Sequence, residues 1–151
     1  MRGERVKNYL DSNKIRYVTI THSPAYTAQG IAHSAHIPGK EVAKTVIVRV
    51  DRKLSMVVLP ANQKVNLDAL RKALNAREAE LASEEDFKDM FPDCETGAMP
   101  PFGNLYDVEV HVAEALARDK EIAFNAGTHT ELIRMDYGDF ERLVKPKKIS
   151  L

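Results

Sequence analysis

Lys44-Thr45-Val46-Ile47-Val48-Arg49-Val50 and Leu54-Ser55-Met56-Val57-Val58-Leu59 are separated only by the polar triplet Asp51-Arg52-Lys53. Both runs are rich in β-branched and aliphatic side chains, and a short polar connection between two such runs predicts a β-hairpin. Upstream, Val6, Tyr9 and Leu10 fall at helical spacing, so residues 2–12 read as an amphipathic helix stopped at Asn13. A short strand follows at Tyr17-Val18-Thr19-Ile20. Beyond the break at Ser23-Pro24, Thr27 is placed to cap a helix over 28–36 that ends at Ile37-Pro38-Gly39.

Downstream of the hairpin, Asn66 is placed to cap a helix carrying Leu67, Leu70 and Leu74. Ser83-Glu84-Glu85-Asp86 matches a capping box that opens a second short helix, with a stop at Phe91-Pro92. Gly97-Ala98-Met99-Pro100-Pro101-Phe102-Gly103-Asn104 holds two glycines and two prolines, which predicts a loop of largely fixed backbone. Strands are expected at 107–112, 121–125 and 131–136, and a closing helix at 137–144 contains Phe140 and Leu143. No repeat, low-complexity tract or linker interrupts residues 1–151. The order of elements predicts a single α+β domain around a mostly antiparallel or mixed sheet.

The 151 residues are 44% hydrophobic with no tryptophan, enough for one buried core and too few for two full domains. No apolar run reaches the roughly 18 residues of a membrane span, and the polar start does not read as a signal peptide, so a cytoplasmic protein without membrane contact is expected. Cys94 is the only cysteine, which excludes an intrachain disulfide framework and a multi-cysteine zinc site. The 22 basic and 22 acidic residues cancel, against a nucleic-acid coat held by net charge. The halves differ: residues 1–75 hold 13 basic and 5 acidic side chains, and residues 76–151 hold 9 and 17.

Several residues are candidates for chemistry. Lys44 opens an otherwise nearly apolar strand, where its ammonium either snorkels to the sheet edge or faces a cleft and offsets a phosphate or oxyanion. The 97–104 loop either is a rigid turn or presents backbone groups in a fixed array to a ligand. Phe124-Asn125-Ala126-Gly127-Thr128-His129 leaves a strand with an amide, a hydroxyl and an imidazole close together. His22, His33 and His36 lack an acidic partner at ligand spacing, so no metal is expected. Cys94 paired with a distant histidine would be a nucleophile and base, although a lone cysteine is more often a small buried hydrophobe. No nucleophile elbow, phosphate-binding loop or dinucleotide fingerprint is present.

Taken together, Ala43-Lys44-Thr45-Val46-Ile47-Val48, Gly97-x-x-x-Pro101-Phe102-Gly103, Phe124-Asn125-Ala126-Gly127 and the helix start Met135-Asp136-Tyr137-Gly138-Asp139-Phe140 resemble the YbaK family, the prolyl-tRNA-synthetase-associated or insertion-like editing domains. The resemblance covers nearly the whole chain. It implies an α+β fold in which a curved mixed sheet, flanked by helices, encloses a pocket. It also implies a deacylase that acts in trans on mischarged tRNA, most often tRNA for proline carrying a small wrong amino acid such as Cys, Ser, Thr or Ala.

By position, the resemblance assigns Lys44, Gly97 and Pro101 to the reaction. Thr27, Thr45, Ala98, Met99, Pro100, Phe102, Gly103, Asn125, Gly127 and His129 are assigned to the substrate pocket. Thr45 stands where relatives that remove alanine tend to carry Asn, closer to those acting on Cys, Ser or Thr esters. No cofactor is implied. The implied partners are the 3′ end and acceptor stem of an aminoacyl-tRNA, tracked by Lys40, Lys44, Arg49, Arg52, Lys53 and Lys64, and an aminoacyl-tRNA synthetase.

Such an enzyme needs no covalent nucleophile. An aminoacyl ester is already activated, so fixing it, stabilising the oxyanion and admitting water or the neighbouring ribose hydroxyl suffices. The competing readings are a non-catalytic module that binds a tRNA end or a synthetase, and a thiol hydrolase dependent on Cys94.

Overall fold

The computed structural model describes residues 4–23 and 28–151. Its elements run α1 (Glu4–Ser12), β1 (Tyr17–Thr21), α2 (Ala28–Ala35), β2 (Ala43–Val50), β3 (Lys53–Pro60), α3 (Leu67–Ala73), β4 (Ala79–Leu81) and α4 (Glu84–Phe87). After a 3₁₀ turn at Gly103–Leu105 come β5 (Val110–Ala113), α5 (Glu114–Ala117), β6 (Glu121–Asn125), β7 (Glu131–Asp136), α6 (Tyr137–Val144) and β8 (Lys147–Ile149).

The hairpin forms with a tighter turn than its sequence suggests. Asp51 and Arg52 both take positive φ, 48° and 72°, and Lys53 pairs with Val50 as the first residue of β3. A two-residue turn with both residues left-handed matches the right-handed twist of the strands it joins. Asp51 also fixes what lies beside it, because its Oδ1 accepts hydrogen bonds from the Arg77 and Glu78 amides at 2.9 Å, just before β4.

The strands divide into two sheets. One has the order β4-β2-β3-β5-β8, with β5 parallel to both its neighbours; the other is antiparallel in the order β1-β7-β6. The α+β class and the mixed pairing agree with the sequence reading, and the two sheets meet at the bridge Val42↔Ala123. Beside the bridge the Ala123 amide donates to Glu41 O at 2.9 Å, and the chain turns just before it, where Pro38 O accepts from the Glu41 amide at 2.9 Å.

Alternation along β2 and β3 separates two apolar faces. Ile47, Met56 and Val58 face the main core, whose centre is aromatic: the Phe102 ring lies 5.5 Å from both Phe124 and Phe140, and all three side chains are fully buried. Each such burial contributes about 1.5–3 kcal/mol. Val48, Val57 and Leu59 point to the opposite face, where Leu70 of α3 covers them.

Local signals were largely followed. Asn66 accepts from the Ala69 amide at the start of α3, and Ser83 and Asp86 close the capping box of α4. That helix stops at Phe87, four residues before the expected Phe91-Pro92, and Phe87 and Phe91 pack edge to face at 6.4 Å. Helix α2 ends at Ala35 because His36 turns left-handed (φ 58°) and the Ile37 amide bonds back to Ala32 O at 3.0 Å. Thr27, the expected cap of that helix, lies outside the described residues. Strand β5 starts at Val110, not at residue 107, because Asp107 is also left-handed (φ 57°).

Candidate functional site

Where the two sheets meet, a cavity of about 160 Å³ opens between the start of β2, the end of β6 and the 97–104 loop. Lys44 and Thr45 line it from β2, Gly97 from the loop and Asn125 from β6, while Ile31, Val42 and Leu132 close its apolar side. Asn125 and Leu132 are cross-strand partners in the β6–β7 pair, so the register of that hairpin sets one wall.

Two groups in this cavity are held in an unfavourable state. Partial burial, followed by the nearby positive charge of Lys64, lowers the pKa of Lys44 below the ordinary lysine value. The Asn125 side-chain oxygen is buried and has no hydrogen-bond partner among the described residues. A buried acceptor left unpaired costs about 1–3 kcal/mol, so it marks a place where a donor from a ligand would be favourable.

The loop is fixed by the β6–β7 turn. Glu95 N donates to Gly127 O at 2.8 Å, and Gly127 N donates to Ala98 O at 3.0 Å. His129 supports the same segment: its Nε2 donates to Thr96 O at 3.0 Å, and its own amide donates to Glu95 Oε1 at 3.2 Å. Gly97 (φ +87°) and Gly127 (φ +93°) both need left-handed backbone, which is why glycines stand at the two crossing points. Among the described residues the Gly97 amide donates to the Met99 thioether, at 3.2 Å, and sulfur is a weak acceptor.

Of the residues picked out in the sequence, Lys44, Thr45, Gly97 and Asn125 converge on this cavity. Gly127 and His129 stand behind it and hold the loop. Pro100 and Pro101 are buried, and Ala98, Met99 and Phe102 are core side chains that do not line the cavity. Gly103 has a packing reason of its own, since a Cβ there would come within 2.5 Å of Val108 O and Val110 Cγ2. Ile31, Val42 and Leu132 went unnoticed in the sequence, because apolar wall residues look like any other core residue.

The other candidates lie elsewhere. Burial pushes the Cys94 thiol up to about 11, so it stays protonated near neutral pH; it sits 3.5 Å from Tyr106 Oη, away from the Lys44 cavity. Among the described residues no three His, Cys, Asp or Glu side chains are grouped as metal ligands. Of the basic residues expected to meet the acceptor stem, Lys44 lines this cavity, Arg49 is paired with Asp86 at 2.9 Å, Arg52 is in the hairpin turn and Lys53 borders a different cavity. No helix among the described residues is long and apolar enough to cross a membrane.

The site is thus a small pocket at a sheet junction, lined by a strand lysine, a loop glycine and a strand-end amide. The sequence profile described as aminoacyl-tRNA editing domain matches residues 22–143, and the chain belongs to that family. The proline--tRNA ligase of Bacillus mycoides (strain KBAB4) is 30% identical over 82 residues, covering 54% of this chain and 14% of the ligase. The proline--tRNA ligase of Bacillus cereus (strain AH187) matches to the same extent, so the similarity reaches only a small part of these relatives' length.

Two solved structures share the fold. The crystal structure of hypothetical protein APE2540 superposes with a TM-score of 0.84 at 15% identity, covering 97% of each chain. A protein described as a candidate trans-editing enzyme for prolyl tRNA synthetase gives 0.81 at 17% identity, over 99% of this chain and 95% of its own.

Proposed function

We propose that this chain is an aminoacyl-tRNA deacylase that hydrolyses the ester of a mischarged tRNA in the Lys44 cavity, without a covalent protein nucleophile and without a metal. The observation that carries the reading is the convergence of Lys44, Gly97 and the unpartnered Asn125 oxygen on one small cavity in an editing domain.

Water adds to the ester carbonyl, the tetrahedral oxyanion collapses, the bond to the ribose oxygen breaks, and a water-derived proton leaves with that oxygen. Free amino acid and an uncharged 3′ end result. The Lys44 ammonium offsets phosphate or oxyanion charge, and the Gly97 amide exchanges its weak thioether contact for the oxyanion. Asn125 accepts from the α-amino group.

A cavity of about 160 Å³ is well under the roughly 300–1,000 Å³ of pockets for drug-sized ligands, which suits a small side chain. Thr45 in its wall favours Cys, Ser or Thr over Ala, and the ligase relatives favour tRNA for proline as carrier. The acceptor end is assigned to Lys64, whose charge acts on Lys44, and to Lys40, four residues before Lys44 in the chain.

The test is release of amino acid from a panel of mischarged tRNAs, with prolyl-tRNA as the spared control, in the presence of a chelator. Selective, Lys44-dependent release supports the reading. Binding of tRNA or a synthetase without turnover on any panel member would replace the enzyme with a binding module.

A further inference from the structure

A second cavity, of about 200 Å³, shares no lining residue with the first. It exists because α3, at seven residues, is only about 10 Å long and cannot cover the whole outer face of the five-stranded sheet. Leu74 and Ala76, just past the end of α3, form one wall, and the uncovered ends of β2, β3, β5 and β8 form the floor.

That floor is polar. Ser55 and His111 are 4% and 3% exposed, both line the cavity, and neither Ser55 Oγ nor His111 Nδ1 has a hydrogen-bond partner among the described residues. Neighbouring positions on the same sheet face normally carry Val or Leu, as Val57 and Leu59 do beneath α3. Two unpaired polar groups in such a place are costly for folding alone.

The rim is charged and balanced. Lys147 bonds Glu109 at 2.7 Å, and exposed Lys53 and Asp51 stand at the mouth. Two cations beside two anions would not favour a phosphate dianion, which both carboxylates repel. They do match a molecule carrying one charge of each sign. We infer that this cavity binds a small zwitterion, a free α-amino acid, with the carboxylate toward Lys53 and Ser55 Oγ and the ammonium toward Glu109 and His111 Nδ1. The inference stands apart from the editing reading, because it concerns a free ligand at a different place on the sheet.

The test follows the His111 ring and Ser55 amide signals by NMR while L-serine, L-alanine or L-proline is added to the full chain. Acetate, methylammonium and inorganic phosphate serve as single-sign probes. At least one amino acid should shift both signals with saturation below about 10 mM, and each single-sign probe should bind at least about tenfold more weakly. Ser55→Ala should raise Kd about fivefold or more, the loss of one hydrogen bond, and His111→Asn, read by the Ser55 amide, should weaken binding comparably. No shift with any amino acid up to that concentration would leave water as the occupant and overturn the inference. Phosphate binding as tightly as the amino acids, or shifts that persist unchanged in both variants, would overturn it as well.

Discussion

The two cavities lie along the same hairpin yet are made of different material. The one at the start of β2 is framed largely by backbone: a left-handed glycine in a proline-rich loop and a turn hydrogen-bonded to that loop, with Lys44, Thr45 and Asn125 as its polar side chains. The one on the outer sheet face is framed by side chains, with Ser55 and His111 as its floor and paired charges at its rim. Fixed backbone groups suit a site that must present donors to a developing charge without rearranging. Side chains on a regular sheet, paired by sign, suit recognition of a molecule that does not change.

The sharpest way to break this contrast is at Lys44. Lys44→Ala should lower kcat/KM for the mischarged substrate by about 10²–10³-fold, the size of losing one preorganised oxyanion partner, with an unchanged urea midpoint. Wild-type rates in this variant would remove its assigned role.

The two glycines of the loop should separate structure from chemistry. Gly103→Ala places a methyl 2.5 Å from Val108 O, and overpacking against backbone should lower stability by about 1–3 kcal/mol in urea titration, while folded protein keeps its kcat. Gly97→Ala meets nothing closer than His129 Cε1 at 3.6 Å, so its cost comes from φ +87° and should be about 1–2 kcal/mol. It should also reduce kcat, because the amide assigned to the oxyanion shifts. Equal kcat in both variants would dissolve the distinction.

Smaller effects come from titration. In its proposed role Lys44 acts as a cation, and burial and Lys64 lower its pKa, so activity should fall on the alkaline side earlier than an ordinary lysine permits. Lys64→Ala removes one cause and should move that limb to higher pH in a rate profile corrected for spontaneous ester hydrolysis. In the other cavity, burial chiefly holds the His111 pKa below the ordinary histidine value of 6.5. The unfolded chain then binds the proton more readily, so Tm should fall on acidification from the unfolded-state pKa down to the lowered one. His111→Asn should flatten that slope.

Much of the fold was legible because its signals are local. The hairpin strands, the Asn66 cap, the Ser83-Asp86 box and the rigid 97–104 loop each follow from a few neighbouring residues. What escaped was short or depends on distant pairing. Strands β4 and β8 have three residues each and helix α5 has four, too few for any periodicity to develop. The division into two sheets escaped too, since it depends on pairing between strands far apart in the chain.

The same division runs through the candidate sites. Lys44, Gly97 and Asn125 stood out because a lysine in an apolar strand, a glycine beside prolines and an amide at a strand end each break a local pattern. Ile31, Val42 and Leu132 break none. Ser55 and His111 were hidden in strands that pair in parallel although residues 61–109 separate them in the chain, through Val57↔His111 and its neighbours.

By itself, then, the sequence determined the class of fold, the hairpin at its centre and the residue types that line the Lys44 cavity. Those follow from backbone preference and side-chain chemistry, which act over a few residues. Tertiary structure alone decided that two sheets meet at Val42 and Ala123, that Gly97 is held against the Gly127 turn, and that a seven-residue helix leaves Ser55 and His111 uncovered. Each of these depends on contacts between segments far apart in the chain, and no local pattern encodes the distance between them.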